Sequence, residues 1–213
     1  MNSKTLESKW QKKWEEAKVF ESEPKDGQEK YFVNCPYPYM NGYLHLGHAF
    51  TYLRADMVSR YQRMKNKNVL FPFAFHCTGT PIVAAAQRVK EGEKIQISAL
   101  KQMGLSDTLI KKFSDPEEWT KHFPDKAIED LKKFGSSIDW RRSFITTSLN
   151  PPYDRFIRWQ FNQLLKNDYL IKGSFPVVWC PKRETVVGDH DRLSGEGETP
   201  QEYTLLKFKG DGD

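Results

Sequence analysis

The chain has 213 residues, with 33 Lys and Arg against 28 Asp and Glu, a formal charge of +5, a length that suits one large domain or one and a half. Composition excludes several classes: no run approaches the roughly 18 consecutive apolar residues of a membrane helix, and residues 1–16 are charged and carry no signal-peptide core. Three well-separated cysteines, Cys35, Cys77 and Cys180, build no disulfide framework and suit a reducing compartment, the cytoplasm.

Leu6, Trp10, Trp14 and Ala17 recur at helical spacing and predict an amphipathic opening helix. Residues 31–33 read as a short buried strand. The following Asn34-Cys35-Pro36-Tyr37-Pro38-Tyr39-Met40-Asn41-Gly42 is rich in turn formers and hostile to regular structure. Leu46, Phe50, Leu53, Met57, Tyr61 and Met64 then step by four, three, four, four and three, which predicts a helix of about five turns. Residues 69–71 are the next strand. Strand, loop, long helix, strand is a βαβ unit, and it predicts parallel strands joined by a right-handed crossover.

Residues 86–124 are Lys-rich, short-patterned and broken by Gly92, Gly104 and Pro116, and read as a helical excursion from the sheet. Asp125 is expected to cap a helix carrying Ile128, Leu131 and Phe134, closed by Gly135. Pro151 and Pro152 open another helix, with Tyr153, Ile157, Phe161 and Leu164 on one stripe. Residues 169–172 and 175–179 look strand-like. A polar linker follows from Ser194, and residues 202–209 alternate like a half-exposed strand that begins something new.

The chemistry concentrates in His45-Leu46-Gly47-His48, placed where the long helix begins directly after a strand and loop. At a parallel-sheet junction, the helix N-terminus brings free N–H groups and a positive dipole beside the strand's carboxyl end. Imidazoles three residues apart share a helix face. Both can donate to phosphate oxygens, which is electrostatic stabilisation of phosphoryl chemistry, and Gly47 leaves room for a flat base. Two ordinary histidines are the competing reading of the tetrad alone.

With these features the chain resembles the class I aminoacyl-tRNA synthetases, whose HIGH signature the tetrad matches. The Pro-Tyr-Pro, Asn-Gly and Tyr61-to-Lys67 features resemble the branch that handles leucine, isoleucine and valine. Within it, residues 75–82, Phe-His-Cys-Thr-Gly-Thr-Pro-Ile, are similar to leucyl-tRNA synthetases of the archaeal and eukaryotic type. Residues 137–142, 153–161 and 177–181 continue a likeness that covers nearly all of residues 5–209.

The resemblance implies a Rossmann-like α/β fold with a parallel sheet and a helical insertion at about 86–124. Residues 1–200 would be one half of the catalytic domain, and 201–213 the start of the editing-domain connection. It implies that His45 and His48 contact the ATP phosphates, that Gly47 lets adenine approach the helix, and that Cys35, Tyr37 and Tyr39 line the amino-acid pocket. His76 stands where bacterial leucyl enzymes hold an acidic partner for the substrate ammonium. A neutral imidazole there accepts one hydrogen bond but brings no negative charge; packing within the loop is the alternative role for Tyr37, Tyr39 and His76.

Leucine, ATP with Mg²⁺ as substrate, and tRNA(Leu) are the implied partners, with no membrane. Cys180 lacks the nearby second cysteine of a C-x₂-C pair and Cys77 has no second cluster, so no protein-bound metal is expected. The positive charges at 126–133 and 141–142 are either solvated surface or phosphate contacts. The family's KMSKS-like second signature occurs nowhere in the 213 residues. The expectation is therefore a leucine–tRNA ligase part that needs the remaining C-terminal portion, in the same or a separate chain. The alternative is a non-catalytic ATP- or leucine-binding fragment. A nucleotidylyltransferase, which also opens a helix with H-x-G-H, is disfavoured by the residues after 70.

Overall fold

Asn2 opens the first helix, α1 (Ser3–Glu16), by accepting the Lys4 amide on its side-chain oxygen at 3.2 Å. The structure, a computed structural model, describes residues 2–181 and 184–186 and divides into two units, 1–176 and 177–213. In the first unit, β1 (Lys30–Phe32) pairs in parallel with β2 (Asn68–Leu70), and the Tyr31–Val69 register lies at its centre. Between them runs α2 (Leu46–Met64), the expected βαβ unit.

Residues 68–76 carry two short strands and are hydrogen-bonded from both sides. β2 is followed by β3 (Ala74–Phe75), which pairs in parallel with β4 (Phe144–Ile145). Backbone groups of alternate residues point to opposite sides of a strand. Leu70 and His76 carbonyls accordingly accept from Val33 and Met40 on one side, while Phe71 and Phe75 carbonyls accept from Asp139 and Thr146 on the other. A parallel strand flanked on both sides reads as a continuous apolar run, and Val69, Phe71, Phe73, Ala74 and Phe75 are all buried. The fold is Rossmann-like α/β, with two parallel strand pairs, β1–β2 and β3–β4. β3 and β4 were not anticipated as strands.

The connection between β3 and β4 is helical, as expected, and runs through α3 (Thr80–Lys90), α4 (Lys94–Gln102), α5 (Asp107–Lys112) and α6 (Pro116–Lys133). It supplies the largest fully buried side chain, Trp119, together with Leu100 and Phe113, which are fully enclosed, and Phe123, nearly so. The expectation that Asp125 starts a helix is corrected. Asp115 is the N-cap, its carboxylate accepting the Glu117 amide at 2.9 Å, and α6 runs on through Pro124. The foreseen stop holds: Gly135 adopts φ +81° just past the C-cap Phe134.

The register of α2 is as expected, but the apolar stripe faces outward. Leu46 is 88% exposed, Met57 63% and Met64 79%, whereas the buried residues are Tyr52, Asp56 and Ser59. Hydrogen bonds hold the inner face: the Asp56 carboxylate accepts the Ser137 amide and the Arg60 guanidinium, Arg60 also donates to the Gly135 carbonyl, and Arg63 donates to Ser137 Oγ at 2.6 Å and to its carbonyl at 2.9 Å. α7 (Pro151–Lys166) forms where expected and buries no residue completely.

Residues 169–172 and 175–178 are irregular rather than extended ladders: β-prone residues make no strand without a partner to pair with. In the second unit, β5 (Trp179–Cys180) pairs antiparallel with β6 (Thr185–Val186). The linker and strand expected after Ser194 lie outside the described residues. Among the described residues, no helix is long and apolar enough to cross a membrane.

Candidate active site

His45 is the N-cap of α2, in extended backbone at φ −132°. Its Nδ1 accepts the Gly47 amide at 3.1 Å, and its own amide donates to His48 Nδ1 at 3.2 Å. The two imidazoles thus form a reciprocal capping box, doing what Ser or Thr with Glu does elsewhere. Their ring centroids lie 4.0 Å apart. A ring nitrogen that accepts from an N–H carries no proton, so in the neutral tautomer each Nε2 is the donor left for a ligand. Burial, then the neighbouring His45, lowers the pKa of His48 below its ordinary value, which favours the neutral form.

Gly47 is confined from the opposite direction. A Cβ there would come within 3.0 Å of His45 Cε1 and 3.1 Å of its Nδ1. The absent side chain therefore keeps the His45 ring in its capping position. Thr51 Oγ1 donates back to the Gly47 carbonyl at 3.1 Å.

Tyr52 packs against the paired histidines, a neighbour that the sequence reading missed. Four residues after His48, on the same helix face, its buried ring stacks on His48 at 5.9 Å and meets Phe73 edge-on at 5.0 Å. Burial, then proximity to Cys35, holds its hydroxyl well above the usual range. The spacing was the available signal. Phe73 passes the contact on to Tyr37, whose ring also meets Phe144 at 5.9 Å.

The remaining expected residues fall into two places. Tyr39 and His76 come together, bridged in parallel backbone pairing and with rings 4.2 Å apart. His76 Nε2 lies 3.2 Å from Thr78 Oγ1, and burial lowers its pKa. Cys35 is buried beside α2, which pushes its thiol up to about 11; it lines a groove with Thr51, Arg54 and Val58. The structure therefore joins His45, Gly47 and His48 directly, reaches Tyr37 through Tyr52 and Phe73, and places Tyr39 with His76 on the neighbouring strand ends. His45 itself is exposed.

Other expected charges are engaged within the chain. Arg141 bonds Asp139 at 2.8 Å and Glu23 at 2.6 Å, and Arg142 donates to the Ser22 carbonyl at 2.8 Å. These bonds tie residues 22–23 to residues 139–142. Lys126 pairs with Glu129, and Lys132 with Glu15. Among the described residues, no three His, Cys, Asp or Glu side chains cluster as metal ligands.

A family profile described as tRNA synthetases class I (I, L, M and V) matches residues 9–202. The leucine–tRNA ligase of Aeropyrum pernix is 50% identical over 208 residues, 97% of this chain and 22% of that protein. That of Methanococcoides burtonii is 46% identical, over 99% of this chain and 22% of its own length. The cytoplasmic leucine–tRNA ligase of Pongo abelii is 40% identical, over 97% and 22%. The chain thus spans about a fifth of the length of these relatives. The LeuRS–tRNA–LeuAMS ternary complex of Agrobacterium radiobacter K84 shares the fold, with a TM-score of 0.63 and 24% identity over 85% of this chain and 20% of that one. A parallel sheet whose first crossover helix is capped by paired histidines, with a family match along nine-tenths of its length, puts this chain among the class I tRNA synthetases of the I, L, M and V group.

Proposed function

We propose that this chain carries the phosphate-binding half of a leucine–tRNA ligase active site. The observation that carries the reading is the reciprocal cap of His45 and His48, which engages both Nδ1 atoms at the helix N-terminus and leaves each Nε2 as the remaining donor. In this reading ATP enters with Mg²⁺ as substrate, and the leucine carboxylate attacks the α-phosphorus. A P–O bond forms, the bond to the bridging oxygen breaks, and pyrophosphate leaves. Preorganised donors at the developing phosphorane charge supply the stabilisation. The tRNA(Leu) 3′ hydroxyl then attacks the leucyl carbonyl and AMP leaves.

Gly47 gives adenine its approach, and Cys35, Tyr37, Tyr39 and His76 border the amino acid, with His76 accepting one hydrogen bond from the ammonium. The reaction belongs to the cytoplasm, and leucine is preferred over isoleucine and valine on the strength of residues 75–82.

The remaining portion of the ligase completes the site. Three observations support that partner: the chain spans about a fifth of its relatives, α2 turns its apolar stripe to solvent, and among the described residues β1 pairs along one edge, with Phe32 62% exposed. Residues 1–200 would then be half of the catalytic domain, and 201–213 would lead to the editing domain. A fragment that binds ATP or leucine without turnover is the second reading, favoured for the chain alone by the open position of His45. Leucine-dependent pyrophosphate–ATP exchange, run with and without the remaining portion, separates the two. Exchange faster with isoleucine than with leucine in the completed protein would contradict the amino-acid choice.

A further inference from the structure

Two residues before His45, the loop that enters the site is gripped by the helical excursion. The Tyr43 ring meets Phe123 of α6 edge-on at 5.4 Å and His122 at 6.2 Å. Beside it, Gly42 lies against the methyl of Met103 at the end of α4, so that a Cβ on residue 42 would come within 3.2 Å of that carbon. Phe123 belongs to the most enclosed part of the core, stacked on Phe113 at 5.4 Å and packed beside Trp119 at 5.5 Å. The Nε2 of His122 is buried with no hydrogen-bond partner, so ring packing rather than a bond at that atom holds it against Tyr43. The far end of the excursion thus presents an aromatic wall to the loop.

We infer that Tyr43 is a positioning residue: packed on α6, it fixes where the His45 and His48 cap sits relative to the sheet. The inference rests on the phosphate role proposed above. Two peptide units separate Tyr43 from His45, and consecutive Cα atoms are about 3.8 Å apart, so displacement of the ring is passed to the cap with little slack. A misplacement of about 1 Å in a reacting constellation costs on the order of 10²-fold in rate. The ring, rather than the hydroxyl, makes the contacts that matter.

The test uses the completed ligase for kinetics and the 213-residue chain for spectroscopy. Tyr43→Ala should lower kcat for leucine-dependent exchange by about 10²-fold, with the ATP and leucine KM values changed far less, while Tyr43→Phe stays close to the parent. In the chain, the imidazole ¹⁵N resonances of His45 and His48 should move in Tyr43→Ala and stay in place in Tyr43→Phe. Gly42→Ala should also lower kcat, and adding Met103→Ala should restore it by giving the new methyl room; this pair decides the matter if Tyr43→Ala does not fold. Parental turnover per folded molecule in Tyr43→Ala, unmoved imidazole resonances, or a Tyr43→Phe variant as poor as the alanine would overturn the inference. If the parent protein itself shows no leucine-dependent exchange, the functional reading falls instead, and the resonances still decide whether Tyr43 sets the cap.

Discussion

α6 and α2 are both long and amphipathic, yet they spend their apolar faces differently. α6 buries Trp119, Phe123, Ala127 and Leu131 in the core. α2 turns Leu46, Phe50, Met57 and Met64 outward and holds its inner face with Asp56, Arg60 and Arg63. Hydrophobic periodicity reports that a face exists and leaves open what covers it. In α6 the cover is this chain. For α2, on the reading proposed above, it is the remaining portion of the ligase.

The largest effect expected from that contrast is in the α6 core. Trp119 is fully buried, and its indole N–H donates to the Phe113 carbonyl at 2.7 Å. Truncation to alanine removes the ring and leaves a cavity and an unpaired carbonyl, which should cost about 3–5 kcal/mol. Denaturant unfolding of the chain measures it; a loss below about 1 kcal/mol would mean that α6 is not the structural centre that its burial implies.

Next is the site end of α2. In the completed ligase, His48→Ala should lower kcat and kcat/KM together by about 10²–10³-fold and leave the ATP KM nearly unchanged, as expected for a donor that acts mainly on the transition state. A His48 whose only work is capping would instead lower thermal stability, with normal turnover per folded molecule. Measuring both on one preparation separates the roles.

The cap of α6 offers a smaller effect. Asp115→Ala removes the acceptor for the Glu117 amide and should cost about 1 kcal/mol, seen as a lower denaturation midpoint at an unchanged slope. It also checks where the helix begins, since an Asp125→Ala change in mid-helix should do much less. Sequence reasoning placed that start at Asp125, a residue type that caps helices. The actual start rests on Asp115 and Pro116, and burial of Pro124 and its neighbours holds the helix together across the interruption.

The same kind of limit explains the other gaps between sequence and structure. The βαβ unit was readable because strand, turn formers and a five-turn periodicity lie in one stretch of chain. β3 and β4 were not, since each is two residues long and gains its identity only from a partner some 70 residues away. His45 and His48 could be paired from spacing. Their mutual capping could not, because histidine is not a usual cap residue and the bond depends on the extended backbone at His45.

Acidification should weaken the fold modestly. His48, His76 and His122 all have pKa values lowered by burial. Between those values and the unfolded value of about 6.5, the unfolded chain binds more protons, so stability rises with pH across that window. The midpoint of denaturation should be level above about pH 7 and fall as pH drops through about 6.5. A midpoint that rises on going from neutral to mildly acidic pH would contradict the burial of these rings.

The smallest effect expected in the chain alone is the one that sharpens the comparison most. Met57 lies on the outward stripe of α2 at 63% exposure. Changing it to serine removes little buried area, so the stability of the 213-residue chain should shift by no more than about 0.5 kcal/mol, as for surface positions generally. If the remaining portion of the ligase covers this stripe, the same substitution in the completed protein exposes a polar group to an apolar interface and loses the burial of a methionine side chain, worth roughly 1.5–3 kcal/mol. The two measurements therefore diverge only if the stripe is an interior face of the whole. Equal, small effects in both proteins would leave α2 as a solvent-facing helix and break the contrast with α6. A large loss already in the chain alone would show that the stripe is covered from within and that α2 is held by its apolar side, not by Asp56, Arg60 and Arg63.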